Sequence, residues 1–295
     1  MPEPMPRWLT KRLPRAGELK EFDDMLAELR LHTICDSGGC PNKCECAPDG
    51  MAFLIMGDKC TRSCTFCSVE HVKPDPLDEN EPAHMAYVSR KLGLSYVFLT
   101  SVTRDDLQDG GAGHYAKTID LLHKEIDGVG VEVLIPDFKG DRNALKTVLD
   151  AGPTVLGHNI ETVPRLYDEM RPQADYELSL SVLRMSKQIA PDILTKSGIM
   201  LGLGETHEEV VSTLKDIYDT GCDMLTLGQY LKPCRGAHEV VRYVTPEEFE
   251  DYLVIAHDIG FHGVASFPLM RSSYEAEAFY KQTLESIRSL KDSDN

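Results

Sequence analysis

Short apolar runs alternate along the chain with stretches whose apolar residues recur every three or four positions. The strand-like runs are AFLIMG, YVFLTS, VEVLIP, TVLGHN, SGIMLGLG, DMLTLG and HGVASF, which begin at positions 52, 96, 131, 154, 197, 223 and 262. Helix-like stretches lie between them, for example HYAKTIDLLHKEI and HEEVVSTLKDIYDTG. Strands and helices that alternate with short loops predict βαβ units and therefore a parallel sheet.

The number of these repeats is enough for a complete or a partial (β/α) barrel. The predicted fold is therefore α/β, a TIM barrel of the (β/α)6 type over residues 51–267, which the family resemblance given below implies to be partial. Residues 1–50 form an N-terminal extension, and residues 268–295 form a C-terminal extension that begins PLMRSSYEAEAF and ends in a polar tail. In such barrels the chemistry lies at the carboxyl ends of the strands, where the loop after the first run carries a group of cysteines.

Composition and charge exclude several classes of protein. The chain has 295 residues, of which 42% are hydrophobic and 27% charged, as is typical of globular proteins. The sequence has no apolar run of roughly 18 residues, and its first residues lack the apolar core of a signal peptide. A net charge of −17 repels phosphate backbones. We therefore expect a cytoplasmic protein that binds neither membrane nor nucleic acid.

The N-terminal segment has the opposite charge to the chain as a whole. Its basic residues Arg7, Lys11, Arg12 and Arg15 predict either a solvated arm or a surface that guides an acidic partner. A transit segment is disfavoured, because the segment contains several prolines and lacks the serines typical of transit peptides.

Seven of the nine cysteines lie between positions 35 and 67, in two groups of different spacing. Clustered thiols without a secretion signal indicate metal binding rather than disulfides. The second group, Cys60, Cys64 and Cys67, has the spacing C-x3-C-x2-C. Three thiolates hold three corners of a [4Fe–4S] cluster and leave one iron open, whereas electron-transfer clusters use four. Zinc is the alternative, but structural zinc sites prefer paired C-x2-C motifs and four protein ligands.

The first group, Cys35, Cys40 and Cys46, has the spacing C-x4-C-x5-C and contains Cys44. Three more thiolates are sufficient to hold a second cluster. The alternative is a zinc knuckle whose fourth ligand is Cys44 or His32. We otherwise interpret Cys44 as a bystander, because Cys46 is only two residues away.

Two strand ends carry further candidate groups. The run SGIMLGLGET contributes Gly202, Gly204 and Glu205. Because glycine has no side chain, a cofactor can approach the backbone closely there. The run GHNIET places Asn159 and Glu161 at the barrel mouth. We interpret these residues as cofactor-lining; ordinary strand-to-helix turns and loop polar groups are the alternative.

A C-x3-C-x2-C motif after a first strand, with Phe66 between the second and third cysteines, resembles the radical S-adenosylmethionine (SAM) superfamily. The resemblance implies a partial barrel of that kind. It also implies that SAM binds the open iron of a cluster held by Cys60, Cys64 and Cys67. One-electron cleavage of SAM would then give a 5′-deoxyadenosyl radical.

A longer ordered set of segments resembles the lipoyl synthase family over residues 6–280. It consists of the two cysteine motifs and RSSY near the C-terminus, together with PRWLTKRLP, LHTIC, LTSVTRDDLQDGGAGHY, VLIPDFKGD, HNIETVPRLYDEMRP, TKSGIMLGLGET, MLTLGQYLKP and RYVTPEEF. The resemblance implies a sulfurtransferase that inserts sulfur at C6 and C8 of an octanoyl chain on a carrier-domain lysine. Those carbons are unactivated, so an acid–base pair cannot remove their hydrogens, whereas a primary carbon radical can.

The resemblance also implies a second [4Fe–4S] cluster, which is the source of the sulfur. The first cysteine group would hold it together with a serine, for which we favour Ser273 over Ser272. An alkoxide suits soft iron less well than a thiolate, so this ligand should be released most easily. Arg271 would close the site or neutralise cluster charge; a plain salt bridge is the alternative.

The implied partners are an octanoylated carrier domain, of the 2-oxoacid dehydrogenase E2 or glycine cleavage H protein type, and an electron donor such as ferredoxin or flavodoxin. Rival interpretations are a biotin synthase-like enzyme, a methylthiotransferase-like enzyme and a zinc-scaffolded interaction protein. Biotin synthases lack the N-terminal triplet. Methylthiotransferases carry a larger N-terminal domain and a nucleic-acid-binding domain.

Overall fold

The computed structural model describes residues 4–11, 17, 19–46 and 50–293. In this part of the chain the strands are β1 His32–Thr33, β2 Ala52–Ile55, β3 Lys59–Cys60, β4 Glu70–His71, β5 Tyr96–Ser101, β6 Gly130–Leu134, β7 Val155–Gly157, β8 Leu194–Leu201, β9 Met224–Gln229 and β10 Gly263–Ser266. The α-helices are α1 Lys20–Glu28, α2 Ile34–Ser37, α3 Lys43–Cys46, α4 Glu81–Leu92, α5 Ala112–Glu125, α6 Arg142–Asp150, α7 Tyr167–Met170, α8 Tyr176–Ile189, α9 His207–Tyr218, α10 Pro246–Ile259 and α11 Ala276–Ser293. Short 3-10 helices span Arg7–Leu9, Phe138–Gly140 and Pro164–Leu166.

Most strands form one curved, largely parallel sheet. Its order is β1-β2-β5-β6-β7-β8-β9-β10, and β3 pairs separately with β4. Every neighbouring pair in the large sheet is parallel except β1 with β2. The predicted strand-like runs correspond to β2 and β5 to β10, so the α/β prediction is confirmed. No strand pairing joins β1 to β10 in the described ranges.

The helices follow the predicted periodicity except at the C-terminus. The predicted helices correspond to α4, α5, α8, α9 and α10, and Thr206 with Glu209 forms a capping box at the start of α9. No helix was predicted in the C-terminal extension, whose polar end is formed by α11, Ala276–Ser293. Its buried residues Phe279 and Thr283, four positions apart, form a narrow stripe among charged residues.

Helix α11 covers the amino end of the barrel. The Ser95 hydroxyl, just before β5, donates to Glu277 Oε2 at 3.0 Å. Phe279 packs with Val155 and Met224, which are the first residues of β7 and β9. The carboxyl ends of the strands lie at the opposite opening, where parallel α/β folds place their sites.

A buried ion pair lies inside the barrel above α11. Lys196 on β8 pairs with Glu132 on β6, and their side chains are 2% and 1% exposed. The Tyr96 hydroxyl donates to Glu132 at 2.9 Å. The ammonium group also lies 5.5 Å from the ring centroids of Phe98 and Phe279. The two opposite charges thus pair with each other in a region that water does not reach.

The N-terminal extension is joined to the sheet. Strand β1 pairs antiparallel with β2 through His32–Leu54 and Thr33–Phe53. The Thr33 hydroxyl then accepts the Asp36 N–H at 3.2 Å and caps α2. This places the first cysteine group beside the first barrel strand. None of the described helices is long and apolar enough to cross a membrane.

We expect Lys196→Met to destabilise the protein by about 3–5 kcal/mol, because it leaves the Glu132 carboxylate buried without a counter-charge. Thermal or denaturant unfolding of the cluster-free protein measures the loss. The matched control is Lys146→Met, which removes an exposed pair with Asp150 on α6 and should cost under about 1 kcal/mol. The double variant Lys196→Met/Glu132→Gln should recover most of the stability. Equal losses for Lys196→Met and Lys146→Met would contradict the assignment.

Candidate active site and metal centres

The second cysteine group lies immediately after the first parallel strand. Cys60 is on β3, and Cys64 and Cys67 follow in the loop that leads to β4. Backbone amides point at the sulfurs: the N–H groups of Arg62 and Thr103 lie 3.4 and 3.3 Å from Cys60 Sγ. Amide hydrogen bonds of this kind stabilise thiolates and tune the potentials of iron–sulfur clusters.

Arg62 anchors this loop to the next two strands of the barrel. It pairs with Asp137, beyond the end of β6, at 2.5 and 2.7 Å, and with Asp105, beyond β5, at 2.7 and 3.1 Å. The Arg62 and Asp137 side chains are 5% and 1% exposed. Burial alone would raise the pKa of Asp137, but the hydrogen bonds and charge of Arg62 hold it below its ordinary value. The loop is thus held by charge-assisted bonds with little access to water.

The three thiols of this group lie close enough to affect one another. Burial raises the pKa of Cys67 to about 11, and the charges of Cys64, Cys60 and Glu161 add to the rise. Burial also raises the pKa of Cys64, against the charge of Arg171. Three sulfur donors therefore meet in one loop with aligned amides, a donor set that fits a four-iron cluster with one open iron.

Polar groups from the end of β7 face this loop. Glu161 has a left-handed backbone with φ of 71° and bridges to Ile199 of β8, so the barrel holds it in a strained conformation. Burial raises the pKa of Glu161, although Arg171 and a hydrogen bond from Asn159 oppose the rise. The Arg171 guanidinium donates to the Asn159 carbonyl at 3.1 Å. Asn159, Glu161 and Arg171 together offer charged and amide groups beside Cys64.

The glycine-rich end of β8 is shaped by contacts within the protein. Glu205 accepts the backbone N–H groups of Gly202 and Leu203 at 2.6 and 2.9 Å and so closes the turn itself. Gly202 and Gly204 have φ of 99° and 109°, which only glycine adopts easily. A Cβ at Gly202 would also lie 2.2 Å from Gln229 Nε2. Phe66 packs against the half of the core that contains β8 and β9.

The side chains of the first cysteine group lie close to one another at a second position, separate from the loop that carries the second group. Cys35 lies on α2, Cys40 in the following turn and Cys46 at the end of α3. A hydrogen bond from Cys35 lowers the pKa of Cys40 to about 6, against burial and with help from the Asn42 N–H and the charge of Arg271. Burial raises the pKa of Cys46 to about 11, and the charge of Cys40 adds to the rise. The side chain of Cys44 lies outside the described residues.

The segment between β10 and α11, residues 267–275, meets this group and is called here the C-terminal strap. The Asn42 side chain donates to the Leu269 carbonyl at 2.7 Å. The positive charge of Arg271 helps to lower the pKa of Cys40. The negative charge of Glu275 helps to raise the pKa of Cys46. Ser273 lies between these two strap residues in the sequence.

The neighbouring serine has a different environment. Ser272 Oγ lies 3.2 Å from Asn159 Nδ2 and 3.4 Å from Asn159 Oδ1, in the barrel mouth. The two cysteine groups also touch, because the Ser68 hydroxyl donates to the Ser37 carbonyl at 2.5 Å. Both groups and the strap therefore surround one opening of the barrel.

Within the described ranges, no set of three or more His, Cys, Asp or Glu residues is arranged to hold one metal ion. Ligands of a single ion converge on one point. The thiolates of a cluster each bind a different iron, so their sulfurs stand further apart.

Comparison with known proteins identifies the class. The Radical SAM superfamily profile matches residues 54–217. Solved structures with the same fold include methylornithine synthase (TM-score 0.57, 17% identity, 70% of this chain and 62% of that chain). Another is the [FeFe]-hydrogenase maturase HydG from Carboxydothermus hydrogenoformans (0.57, 16%, 72% and 52%). The chain spans about half to three fifths of the length of these solved chains. It is a radical SAM protein, and membership implies one [4Fe–4S] cluster and SAM.

Sequence relatives define the family within that class. The chain is 53% identical to a lipoyl synthase of Caldanaerobacter subterraneus subsp. tengcongensis over 92% of its length and 95% of the relative. It is 50% identical to a lipoyl synthase of Syntrophotalea carbinolica over 95% of its length and 91% of the relative. The chain belongs to the lipoyl synthase family. The prediction of a radical SAM sulfurtransferase is thereby confirmed.

Sequence reasoning missed three features of the site. Arg171 and the Arg62–Asp137 pair join residues that are distant along the chain, and single motifs do not reveal such partners. The Ser272–Asn159 contact depends on side-chain directions in an irregular segment. The single arginines within CTRSC and DEMRP were the available signal for Arg62 and Arg171.

Asp137→Asn should loosen the loop that carries Cys64, because Arg62 then lacks its buried counter-charge. We expect a loss of about 3 kcal/mol or more in the unfolding free energy of cluster-free protein. Reconstituted protein should also lose iron faster to a chelator. Asp105→Asn is the matched control, since this partner is 24% exposed and should cost under about 1 kcal/mol. An Asp137→Asn variant as stable as Asp105→Asn would refute the anchoring role.

Proposed function

We propose that this chain inserts sulfur at C6 and C8 of an octanoyl group bound to a carrier-protein lysine, using two [4Fe–4S] clusters. The observation that carries the proposal is the convergence of two separate thiol triplets on one barrel opening. When bound, the clusters and SAM supply a 5′-deoxyadenosyl radical and the sulfur atoms. The residues of this chain hold, orient and shield those groups.

In this proposal Cys60, Cys64 and Cys67 hold the cluster that cleaves SAM. The Arg62 anchor fixes their loop against the strand ends. Asn159, Glu161 and Arg171 would receive the polar end of SAM, since they lie beside Cys64 and offer both signs of charge. Phe66, Gly202, Gly204 and Glu205 are proposed to line the remainder of the SAM site, where Glu205 acts by closing the turn.

The first cysteine group is proposed to hold the sulfur-donating cluster, with Ser273 as its fourth ligand. The lowered pKa of Cys40 favours its ligating, thiolate form. Arg271 lies where its positive charge offsets that of a thiolate. Because Ser272 is engaged with Asn159, the geometry supports Ser273 as the residue free to act as ligand.

We propose as partners an octanoylated lipoyl-carrier domain of the E2 or H protein type and a ferredoxin or flavodoxin donor. A cytoplasmic location is part of the proposal, because clustered thiols and labile clusters suit a reducing compartment. We also propose the three parts of the chain as functional units: an extension with the first cysteine group (1–50), the barrel (51–267) and the extension with RSSY (268–295).

Replacing Cys40 with Ala should abolish sulfur transfer while leaving SAM cleavage, because it removes a ligand of one cluster only. Iron should fall from about eight to about four atoms per chain. An anaerobic single-turnover assay with an octanoyl-lysyl peptide measures thiolated product and 5′-deoxyadenosine together.

Two variants control this experiment. Cys64→Ala should lose SAM cleavage and sulfur transfer together, whereas Cys234→Ser, an exposed thiol, should keep both. A Cys40→Ala protein that retains about four irons per chain but does not cleave SAM would mean that the two triplets are assigned wrongly. Bound zinc in place of iron would refute the enzyme altogether.

The basic N-terminal segment is proposed to guide the acidic carrier domain. Arg12 and Arg15 lie outside the described residues, and Lys11 is paired with Glu45 beside Cys46, so Arg7 gives the cleanest test. Arg7→Gln should raise the apparent KM for the carrier domain roughly twofold to fivefold at low salt, with kcat unchanged. Lys146→Gln on α6 is the control. An unaltered salt dependence in Arg7→Gln would argue against docking by this segment.

A further inference from the structure

We propose that Ser272 is a positioning residue: its contact with Asn159 seats the C-terminal strap in the barrel mouth and thereby places Ser273 at the first cysteine group. This inference rests on the proposed ligand role of Ser273. It assigns different tasks to two adjacent serines that the sequence cannot distinguish.

The strap is fixed firmly at its start. The Pro268 carbonyl accepts the Gln229 N–H at 3.0 Å, and the Leu269 carbonyl accepts the Asn42 side chain at 2.7 Å. Met270 still packs on β9, because a Cβ on Gly228 would lie 2.2 Å from the Met270 carbonyl oxygen. The other contacts are internal: Arg271 donates to the Met270 carbonyl, and Tyr274 packs edge-on against Phe267. They shape the strap but do not attach residues 272–275 to the barrel.

Ser272 provides that attachment. Among described residues, its bond with Asn159 is the one side-chain hydrogen bond that joins residues 270–275 to the barrel. Asn159 follows β7, which is an inner strand of the large sheet. The hydroxyl is therefore tied to a fixed point one residue before Ser273.

The barrel leaves room for this contact. A Cβ on Gly198 of β8 would lie 3.3 Å from Ser272 Oγ, 3.1 Å from Asn159 Oδ1 and 2.5 Å from Thr226 Oγ1. Gly198 does not have a positive φ, so space rather than backbone conformation requires glycine here. Gly198 within β8, Thr226 within β9 and Asn159 after β7 thus form a seat in which a serine hydroxyl fits.

The seat has a mechanistic consequence. Asn159 also belongs to the proposed SAM site, so one side chain contacts both the SAM end of the barrel and the strap. Loss of the contact should leave the cysteine ligands intact but let Ser273 move. The proposed enzyme would then cleave SAM more often without forming a carbon–sulfur bond.

Amide hydrogen exchange of the cluster-free protein tests the seating without reference to activity. Ser272→Ala should speed exchange in peptides covering residues 270–275 by roughly twofold to tenfold, the factor expected for loss of one neutral hydrogen bond. Ser273→Ala, its neighbour, should leave exchange unchanged. Gly198→Ala should mimic Ser272→Ala by filling the seat. Wild-type exchange in Ser272→Ala, or equal acceleration in both serine variants, would overturn the proposal.

The reconstituted enzyme supplies a second readout. In Ser272→Ala the number of 5′-deoxyadenosine molecules released per sulfur inserted should rise, and Ser272→Thr, which keeps the hydroxyl, should restore the wild-type ratio. A higher ratio without faster strap exchange would show that Ser272 acts by another route. If wild-type protein inserts no sulfur, the proposed function fails while the exchange experiment still decides the seating.

Discussion

The structure depends on the close approach of buried thiols. Burial and neighbouring sulfur charges raise the pKa of Cys46 and Cys67, so these two thiols resist the ionised form that binds metal. A loop free to move would separate the sulfurs. The fold prevents this with backbone amides aimed at Cys60 and with the Arg62–Asp137 pair. Packing and ion pairs elsewhere in the fold thus stabilise a close arrangement of thiols. The ionised form of that arrangement is unfavourable until a metal neutralises the charges of the sulfurs.

The same constraint explains why the ends of the chain meet. The first cysteine group precedes the barrel and the strap follows it, yet Asn42 and Leu269, 227 positions apart, are joined by a buried hydrogen bond. The loop after β9 adds a further wall, because the His238 N–H donates to the Thr65 carbonyl at 2.8 Å. The opening is therefore enclosed by segments from the whole chain. Such enclosure limits solvent access to the site and so suppresses side reactions of a reactive intermediate.

The sequence predicted whatever is local. Strands β2 and β5 to β10 follow from apolar runs, and α9 follows from periodicity and its Thr206 cap. That the two cysteine triplets are cluster ligands was predicted from their spacing and stays a prediction. Helix α11 was not predicted from the sequence, because its buried stripe, which contains Phe279 and Thr283, is narrow and is surrounded by charged residues. The partners of Arg62 could not be inferred, since Asp137 is 75 residues away and becomes a neighbour only when the barrel forms. Ser272 and Ser273 could not be separated, because an irregular strap has no side-chain period.

The glycines at the end of β8 show how one sequence signal can have two causes. A glycine-rich strand end was interpreted as space for a cofactor. At Gly202, however, a Cβ would collide with Gln229 Nε2 and with the Arg242 carbonyl at 2.5 Å, both protein atoms. Gln229 in turn donates to the Leu201, Tyr230 and Arg242 carbonyls and so ties the loop after β9 to β8. Glycine is required here to let the protein close on itself, and that closure sets the shape of any cofactor site beside it.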